Sequence, residues 1–337
     1  MRGARAAGVL HAARAMYFTR KGGDQMTVNG LCLVVTDKCN AACDICCFSC
    51  SPEKGSVMDA HLMADVIDQA EGIDGLKYIG FSGGEPFLYY DLIRDGLARA
   101  KAKGFATSVA TNGFWGAWPD DVLFKRLSAL AVDHIFLSTD LYHAQYVPDE
   151  AVGRAISAAR ALNINITVGI GETRSRSAGE HFRQMGDYKY LMNFYTYPFV
   201  RAGRAAALPT EEFFPPTAAS REHCGASGLL SVLYDGRVFP CCEQQVFATA
   251  LEIGSVLETP LKEIIASPDN SALMQCMRSE RGFASLLEAA GVVPGACGAC
   301  EACGRLFRKE GSLTAMLPRI REIAGQVAVD FLLGRCR

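Results

Sequence analysis

Cysteine is the residue type in this chain with the most evident chemistry: the 337 residues contain 14 of them. The first close group is Cys39, Cys43 and Cys46, with the spacing C-x3-C-x2-C. Three thiolates on one loop suit three irons of a cubane cluster and leave its fourth iron open, whereas electron-transfer clusters have four cysteine ligands. Cys47 and Cys50 follow and could complete a zinc site instead, but we expect them to be non-ligands.

A second group of cysteines lies in the C-terminal third. Cys224 comes before a predicted hairpin and Cys241 ends it, so the Asp235–Gly236 turn can bring both thiols to one site. Four thiolates complete the shell of a second cluster, with a zinc knuckle as the alternative. The predicted ligands are Cys224, Cys241, Cys297 and one or both of Cys300 and Cys303.

Cys242 stands directly after the predicted ligand Cys241. Successive side chains of an extended segment point in opposite directions, so the two thiols cannot easily bind the same cluster. Cys242 is therefore expected to keep a free thiol near the cluster, where it can give a hydrogen atom to a carbon radical. A buried apolar cysteine is the alternative interpretation.

Alternating strands and helices must position these groups. Apolar, β-branched runs recur with helical patterns between them, which predicts a parallel α/β sheet with functional loops at the strand carboxyl ends. Six units predict a partial (β/α)6 barrel, open on one side. The predicted strands are Leu31–Thr36, Tyr78–Ser82, Ala106–Ala110, His134–Ser138, Ile164–Ile170 and Leu191–Phe199. The predicted helices are Met58–Ala70, Leu92–Lys103, Asp120–Ala131, Asp149–Leu162 and Glu180–Gly186.

The proline-containing stretch Ala205–Ser220 indicates a linker. We therefore predict an N-terminal extension over residues 1–27, the barrel over 28–205, and a small Cys-rich auxiliary domain with a C-terminal helix over 206–337. Beyond the hairpin the sequence predicts irregular segments before that helix.

Composition excludes several classes of protein. Lys and Arg number 34 against 36 Asp and Glu, so nothing suggests nucleic-acid binding. No apolar run reaches the ~18 residues that a membrane span needs, and no secretory signal is evident. A cytoplasmic location follows as an expectation, and there clustered thiols are candidates for metal ligands rather than disulfides.

With its position after the first strand, the C-x3-C-x2-C loop resembles that of the radical S-adenosylmethionine (SAM) enzymes. The resemblance implies a [4Fe–4S] cluster on Cys39, Cys43 and Cys46 whose open iron chelates SAM, and cleavage of SAM to a 5′-deoxyadenosyl radical. It also implies SAM contacts at the ends of the following strands. These are Gly83, Gly84, Glu85 and Pro86, which resemble the family's GGEP motif, then Asn112, Ser138 and Asp140, and Gly169 and Gly171 on the adenine side.

The C-terminal cysteine pattern resembles the auxiliary-cluster extensions called SPASM or twitch domains. It lacks the full two-cluster pattern, so one auxiliary [4Fe–4S] cluster is expected, and a sulfatase-maturing type of enzyme is disfavoured. With the pair Cys241–Cys242, the chain most resembles epipeptide-type peptide epimerases. That resemblance implies Cα hydrogen abstraction from a ribosomally made precursor peptide, and hydrogen return from Cys242.

Two alternatives stay open at this point. One is a radical SAM enzyme that forms thioether or carbon–carbon crosslinks in a similar peptide and has no need of Cys242. The other is a non-catalytic Fe–S or zinc protein that acts as a scaffold or electron carrier. For an enzyme, the expected partners are the precursor peptide and an electron donor such as flavodoxin or ferredoxin.

Overall fold

A computed structural model describes residues 28–215, 224, 228–243, 245–292 and 298–333. Six strands of its first half pair in parallel, each with the next one along the chain. They are β1 (Gly30–Val34), β2 (Tyr78–Ser82), β3 (Ala106–Thr111), β4 (His134–Thr139), β5 (Asn165–Glu172) and β6 (Asn193–Pro198). The predicted α/β fold class, with a mostly parallel sheet, is confirmed.

Five helices connect these strands, close to the predicted positions. They are α1 (Ala60–Glu71), α2 (Tyr90–Ala102), α3 (Asp120–Ser128), α4 (Asp149–Ala161) and α5 (Ala178–Gln184). Strand β6 begins two residues later than predicted because Gly186–Leu191 forms a 3-10 turn. The Asp59 side chain caps α1 by accepting hydrogen bonds from the backbone N–H groups of His61 and Leu62.

The two faces of the parallel sheet have different surroundings. Phe81 of β2 lies on the helix-covered face, where it packs beside Gly96 of α2. Its neighbour in the strand, Gly80, is on the opposite face. We call that opposite face the inner face; across the strands it carries Cys32, Gly80, Ser108, Ser138, Gly169 and Tyr195.

The second half of the chain continues the same sheet. Strand β7 (Leu229–Leu233) pairs in parallel with β1, and β8 (Arg237–Phe239) and β9 (Gly254–Ser255) follow in antiparallel fashion. The strand order is β6-β5-β4-β3-β2-β1-β7-β8-β9. The predicted hairpin turn is present, with Gly236 at φ +86°. The sequence did not indicate that the hairpin extends the barrel sheet.

The region after the hairpin is more helical than predicted. It contains α6 (Leu261–Ala266), α7 (Pro268–Arg278), α8 (Glu280–Ala289) and α9 (Ala299–Leu306), followed by the expected C-terminal helix α10 (Ser312–Leu332). Pro260 immediately precedes α6, and Pro268 is the first residue of α7. Proline suits the first turn of a helix, so these residues start helices here rather than mark irregular chain.

The domain boundaries at residues 27 and 205 stay a prediction. Residues 1–27 lie outside the described residues, as does part of the predicted linker. Two short 3-10 turns, Gly203–Ala207 and Thr210–Glu212, lie at the start of that linker. In the described part of the chain, no helix has both the length and the apolar character required to cross a membrane.

Candidate active site

The first cysteine group lies on the loop after β1. This loop turns tightly, because the backbone N–H of Cys46 donates to the carbonyl oxygen of Cys43 at 3.0 Å. Burial, together with the smaller effect of the negative charges of Asp140, Cys39 and Cys46, raises the pKa of Cys43 to about 12. Burial likewise raises the pKa of Cys39 to about 12, with Cys46 adding to it. The thiols of Cys39, Cys43 and Cys46 are therefore buried and close enough to one another for their charges to interact.

Arg204 holds this loop from outside the sheet. Its Nε donates to the carbonyl oxygen of Cys43 at 2.9 Å, and its Nη2 donates to that of Cys50 at 2.7 Å. Its backbone N–H also donates to the carbonyl oxygen of Cys46 at 3.0 Å. Three attachments from one residue fix the loop's shape and place a cation near its thiols. Sequence reasoning assigned no role to Arg204.

The Gly83–Gly84 turn after β2 packs its backbone directly on the start of the cysteine loop. The N–H of Gly84 donates to the Thr36 carbonyl oxygen, and that of Glu85 to the Lys38 carbonyl oxygen, both at 2.8 Å. A Cβ at Gly84 would overlap the Lys38 carbonyl, and Gly83 has φ +153°. Only glycines permit this approach, which supports the motif assignment of these residues.

Glu85 is fully buried between the end of β2 and the end of β3. Its carboxylate accepts hydrogen bonds from the N–H of Phe87 (3.0 Å), the hydroxyl of Thr111 (2.8 Å) and the N–H of Asn112 (2.7 Å). Burial raises its pKa to about 7 despite these donors. Pro86 follows it as the first residue of a short 3-10 turn. Glu85 therefore fixes the ends of β2 and β3 relative to each other.

Asn112 connects the end of β3 with the cysteine loop. Its Nδ2 donates to the Oδ1 of Asn40 at 2.9 Å and lies 3.8 Å from the Sγ of Cys39. Ser138 at the end of β4 donates to the Thr111 carbonyl oxygen at 3.5 Å. The structure thus brings Asn112 to the predicted cluster site, with Ser138 beside the end of β3.

Asp140 is occupied by contacts within the protein. It is 1 % exposed, and its Oδ1 accepts hydrogen bonds from the N–H groups of Tyr142 (2.7 Å) and His143 (3.0 Å). Its Oδ2 lies 2.6 Å from Nδ1 of His143. Burial favours the neutral ring, but the negative charge of Asp140 outweighs it and raises the pKa of His143. Sequence reasoning missed His143, although the Asp-x-x-His spacing signalled it.

The two glycines predicted for the adenine side lie under aromatic rings. A Cβ at Gly171 would overlap the ring of Phe199, and one at Gly169 would meet the Tyr195 hydroxyl at 3.0 Å. Burial raises the pKa of the hydroxyl of Tyr197, which lies in the same layer, well above its usual value. These glycines make room for Tyr195 of β6 and for Phe199, which directly follows that strand.

The second cysteine group also converges. Burial raises the pKa of Cys241 well above its usual value, and the charges of Cys224 and Cys303 add to it. Cys300 and Cys303 lie one turn apart on α9, and each described member of the group is without a disulfide. Cys297 lies outside the described residues. The members that the structure brings together are Cys224, Cys241, Cys300 and Cys303.

Arg278 gives an independent test of what this group can hold. Burial lowers the pKa of its guanidinium, while the charges of Cys224 and Cys241 act to raise it. Its Nε is buried without a hydrogen-bond partner. A buried, incompletely paired cation beside thiolates fits an anionic cluster, which would supply the missing counter-charge. Among the described residues, no three Cys, His, Asp or Glu side chains converge tightly enough to hold a single metal ion.

Cys242 points away from this group and reaches the inner face of the sheet. Its thiol is hydrogen-bonded to that of Cys32, a contact that, together with burial, raises the pKa of Cys242 well above its usual value. Cys32 is 8 % exposed in the middle of β1. Its neighbour across the sheet, Ser231, donates to the Cys241 carbonyl oxygen at 2.9 Å and so fixes the turn from Cys241 to Cys242.

Cys47 lies close to Glu243, as Cys242 does. Burial raises its pKa, and the charges of Cys46 and Glu243 add to that effect. Glu243 acts on Cys242 in the same direction. Cys47 and Cys242 therefore approach one carboxylate from the two cysteine-bearing halves of the chain.

Residues 33–176 match the radical SAM superfamily, and residues 224–304 match the SPASM iron–sulfur cluster-binding domain. A putative peptide biosynthesis protein, YydG of Bacillus subtilis (strain 168), is 23% identical over 83% of this chain and 92% of its own length. The tungsten-containing aldehyde ferredoxin oxidoreductase cofactor-modifying protein of Pyrococcus furiosus is 31% identical over 48% of each chain.

The fold also resembles solved structures. The structure of native anSMEcpe with bound AdoMet and Cp18Cys peptide superimposes with a TM-score of 0.56 at 14% identity, over 89% of this chain and all of that one. A histidine-tagged form of anSMEcpe with bound AdoMet gives a TM-score of 0.58 at 13% identity, with the same coverage. At such identities the likeness concerns the fold. Two [4Fe–4S] clusters and SAM fit the matched families and the two converging cysteine groups.

Proposed function

Because the chain is a radical SAM protein with a C-terminal SPASM domain, we propose that it matures a ribosomally made peptide by turning L-residues into D-residues. The similarity to a putative peptide biosynthesis protein, which covers most of both chains, supports the peptide as the substrate class. The fold is also that of a structure with AdoMet and a peptide bound.

Cys39, Cys43 and Cys46 would hold the cluster that binds SAM, which supplies a 5′-deoxyadenosyl radical. Around it, Arg204 fixes the cysteine loop, and the Gly83–Gly84 turn keeps backbone groups next to it. His143, oriented by Asp140, and Asn112 are the polar side chains available toward the cofactor. Glu85 would act through the strand ends that it joins rather than by direct contact, because it is fully buried.

Cys224, Cys241, Cys300 and Cys303 would hold the auxiliary cluster, with Cys297 kept as a further candidate ligand. The unpaired Nε of Arg278 supports an anionic group in this place. The side chain of Cys242 is then beside the cluster but not bound to it.

The observation that carries the proposal is the position of Cys242. A Cα radical is planar, so its configuration is inverted only when a hydrogen atom arrives from the face opposite to the one attacked. A thiol S–H is a good hydrogen-atom donor to such a radical. Cys242 brings its thiol to Cys32 of the inner face from the hairpin side, on the strand that leads into the cysteine loop, and we propose that this thiol returns the hydrogen atom.

The test compares Cys242→Ala with a matched control, Cys276→Ala. Cys276 is also buried in the C-terminal half, but its thiol donates to the Ile320 carbonyl oxygen, away from the inner face. We expect Cys242→Ala to retain both clusters and to form 5′-deoxyadenosine, yet to yield no D-residue. The control should yield D-residues at a rate near that of the wild type.

The isotope content of the product decides between epimerisation and crosslinking. In D2O the wild type should add one deuteron per inverted centre, because the thiol exchanges with solvent. A peptide two hydrogens lighter than the substrate, without deuterium at Cα, would establish crosslinking and overturn the epimerase proposal. D-residues from Cys242→Ala would instead assign hydrogen return to another thiol, with Cys47 the first candidate.

A further inference from the structure

Cys32 occupies a fixed position in the middle of the sheet. It is the central residue of β1, which is hydrogen-bonded to β2 on one side and to β7 on the other. Its side chain is buried on the inner face, and its chain neighbours Leu31 and Leu33 are fully buried. The backbone of Cys32 is thus held from both sides, and the adjacent strands decide what its thiol meets.

The pairing of β1 with β7 brings Cys242 to this thiol. Ser231 of β7 lies directly opposite Cys32, and neighbouring strands are only about 4.8 Å apart. The Ser231 hydroxyl donates to the Cys241 carbonyl oxygen at 2.9 Å, and that carbonyl carbon is bonded to the nitrogen of Cys242. The strand register and this hydrogen bond therefore carry the Cys242 thiol to that of Cys32, to which it is hydrogen-bonded.

The two thiols are free for chemistry with each other. Neither belongs to the two groups of predicted cluster ligands, and neither is in a disulfide. On the inner face, Cys32 lies between Ser231 and Gly80, over which the Tyr78 ring reaches toward Ser108. A cysteine among hydroxyl-bearing neighbours is not there only to fill an apolar gap.

A cysteine that gives its hydrogen atom to a carbon radical is left as a sulfur radical, and it must regain a hydrogen atom before it can act again. The S–H bonds of two cysteines have nearly the same strength, so passing a hydrogen atom between their sulfurs is close to energetically neutral. A thiol already hydrogen-bonded to Cys242 is therefore well placed to supply that atom.

We propose that Cys32 is a hydrogen-atom relay that restores Cys242, so that the two thiols together return two hydrogen atoms before the pair must be reset. This rests on the proposed function, in which Cys242 is the hydrogen donor. It goes further by giving Cys32 a role and by naming a dithiol as the class of reductant that the pair requires.

The steps balance in atoms and electrons. In the first inversion the S–H bond of Cys242 breaks and the Cα–H bond forms. The S–H bond of Cys32 then breaks as that of Cys242 forms again, which leaves the unpaired electron on the Cys32 sulfur. A second inversion takes the new hydrogen atom from Cys242, and the two sulfur radicals pair as a disulfide. A dithiol supplies two electrons and two protons and restores both thiols.

The experiment uses the anaerobic holoprotein, freed of small thiols, with excess SAM and reduced methyl viologen as the one-electron donor. The substrate probe is a synthetic peptide on which the wild type forms D-residues. The wild type is compared with Cys32→Ser and with the control Cys276→Ser, which removes a buried thiol that donates to the Ile320 carbonyl oxygen instead. Chiral amino-acid analysis counts D-residues per chain, and mass spectrometry detects joined Cys32 and Cys242 peptides.

Without a dithiol, the wild type should stop after about two D-residues per chain with Cys32 and Cys242 joined, and dithiothreitol should restart it. Cys32→Ser should stop after about one, a twofold loss, because a hydroxyl is a poor hydrogen-atom donor. Cys276→Ser should match the wild type, and SAM cleavage without peptide should form no disulfide. A purely structural Cys32 would change the rate, but not the count at which the reaction stops.

Two results would overturn the relay alone. One is continued formation of D-residues by the wild type without a dithiol and without the disulfide, which would show that Cys242 is restored directly. The other is an equal count for the wild type and Cys32→Ser. The first needs no variant, so the relay stays testable if Cys32→Ser does not fold. If no peptide acquires D-residues, or if Cys242→Ala still forms them, the proposed function fails and the relay fails with it.

Discussion

Arg204 gives the most direct test of how the cysteine loop is held. Replacing it by Ala removes the guanidinium that donates to the carbonyl oxygens of Cys43 and Cys50. The backbone donation to Cys46 remains, since it does not depend on the side chain. We therefore expect the loop to open locally more often while the barrel stays folded.

The magnitude follows from the two lost hydrogen bonds. Hydrogen bonds from a charged donor contribute about 1.5–3 kcal/mol each. Because Arg204 is only partly buried, the lower value applies, and two such bonds give about 3 kcal/mol. At about 1.36 kcal/mol per factor of ten, the population of the open loop rises roughly 100-fold.

Hydrogen exchange of the apoprotein measures this opening directly. The amide of Cys46, which donates to Cys43, and the amide of Cys39, which donates to Ser51, report on the loop. Their exchange should accelerate roughly 100-fold in Arg204→Ala, whereas amides of β4 should not change. Arg204→Lys keeps the charge but not the forked donor, so it should lie between the two. If these two amides exchange in Arg204→Ala within twofold of their wild-type rates, the Arg204 side chain does not hold the cysteine loop closed.

Three further predictions concern the site. Gly84→Ala should abolish SAM-dependent 5′-deoxyadenosine formation, because its Cβ overlaps the Lys38 carbonyl. The folded-state pKa of Glu85 is about 7, against an ordinary 4.5, so the stability that its protonated form contributes is present below pH 4.5 and is lost as the pH rises through 7. Relative to Glu85→Gln, the free energy of unfolding of the wild-type apoprotein in urea should fall by about 3 kcal/mol over that range. Mild oxidation of the apoprotein with diamide should form a Cys32–Cys242 disulfide, detected by peptide mass spectrometry.

Each of these has a control within the chain. Gly55→Ala should be silent, because nothing lies within 4 Å of a Cβ there. A wild-type pH profile parallel to that of Glu85→Gln would contradict the burial argument. If diamide joins Cys241 to Cys242 instead, the thiol of Cys242 is not held against Cys32 in solution.

The barrel strands were predictable because each is a short apolar run between turn residues. Strands β1 and β2 are buried on both faces, as in other parallel sheets, so their sequence signal is local and strong, whereas β4 alternates and β6 is largely exposed. The sequence signal is also local for the loop of Cys39, Cys43 and Cys46 and for the Gly83–Gly84 turn. Their residue types lie at fixed short spacings, so both could be predicted.

The contacts that define the site's far side had no such signal. Strand β7 pairs with β1 across nearly 200 residues, with Leu230 opposite Leu31, and no local pattern encodes that register. The contact between Cys32 and Cys242 depends on it. The helices around Pro260 and Pro268 were missed because proline both begins helices and interrupts them, and only packing decides which.

The pairing of β7 with β1 also limits how far this protein can be divided. Strand β1 has the sequence Gly-Leu-Cys-Leu-Val and is hydrogen-bonded on both sides, to β2 and to β7. A fragment that ended before β7 would leave the β7-facing edge of this apolar strand open, and such edges recruit strands from other molecules. The half that carries Cys39, Cys43 and Cys46 is thus not a free-standing module, and we expect a fragment that ends before β7 to aggregate.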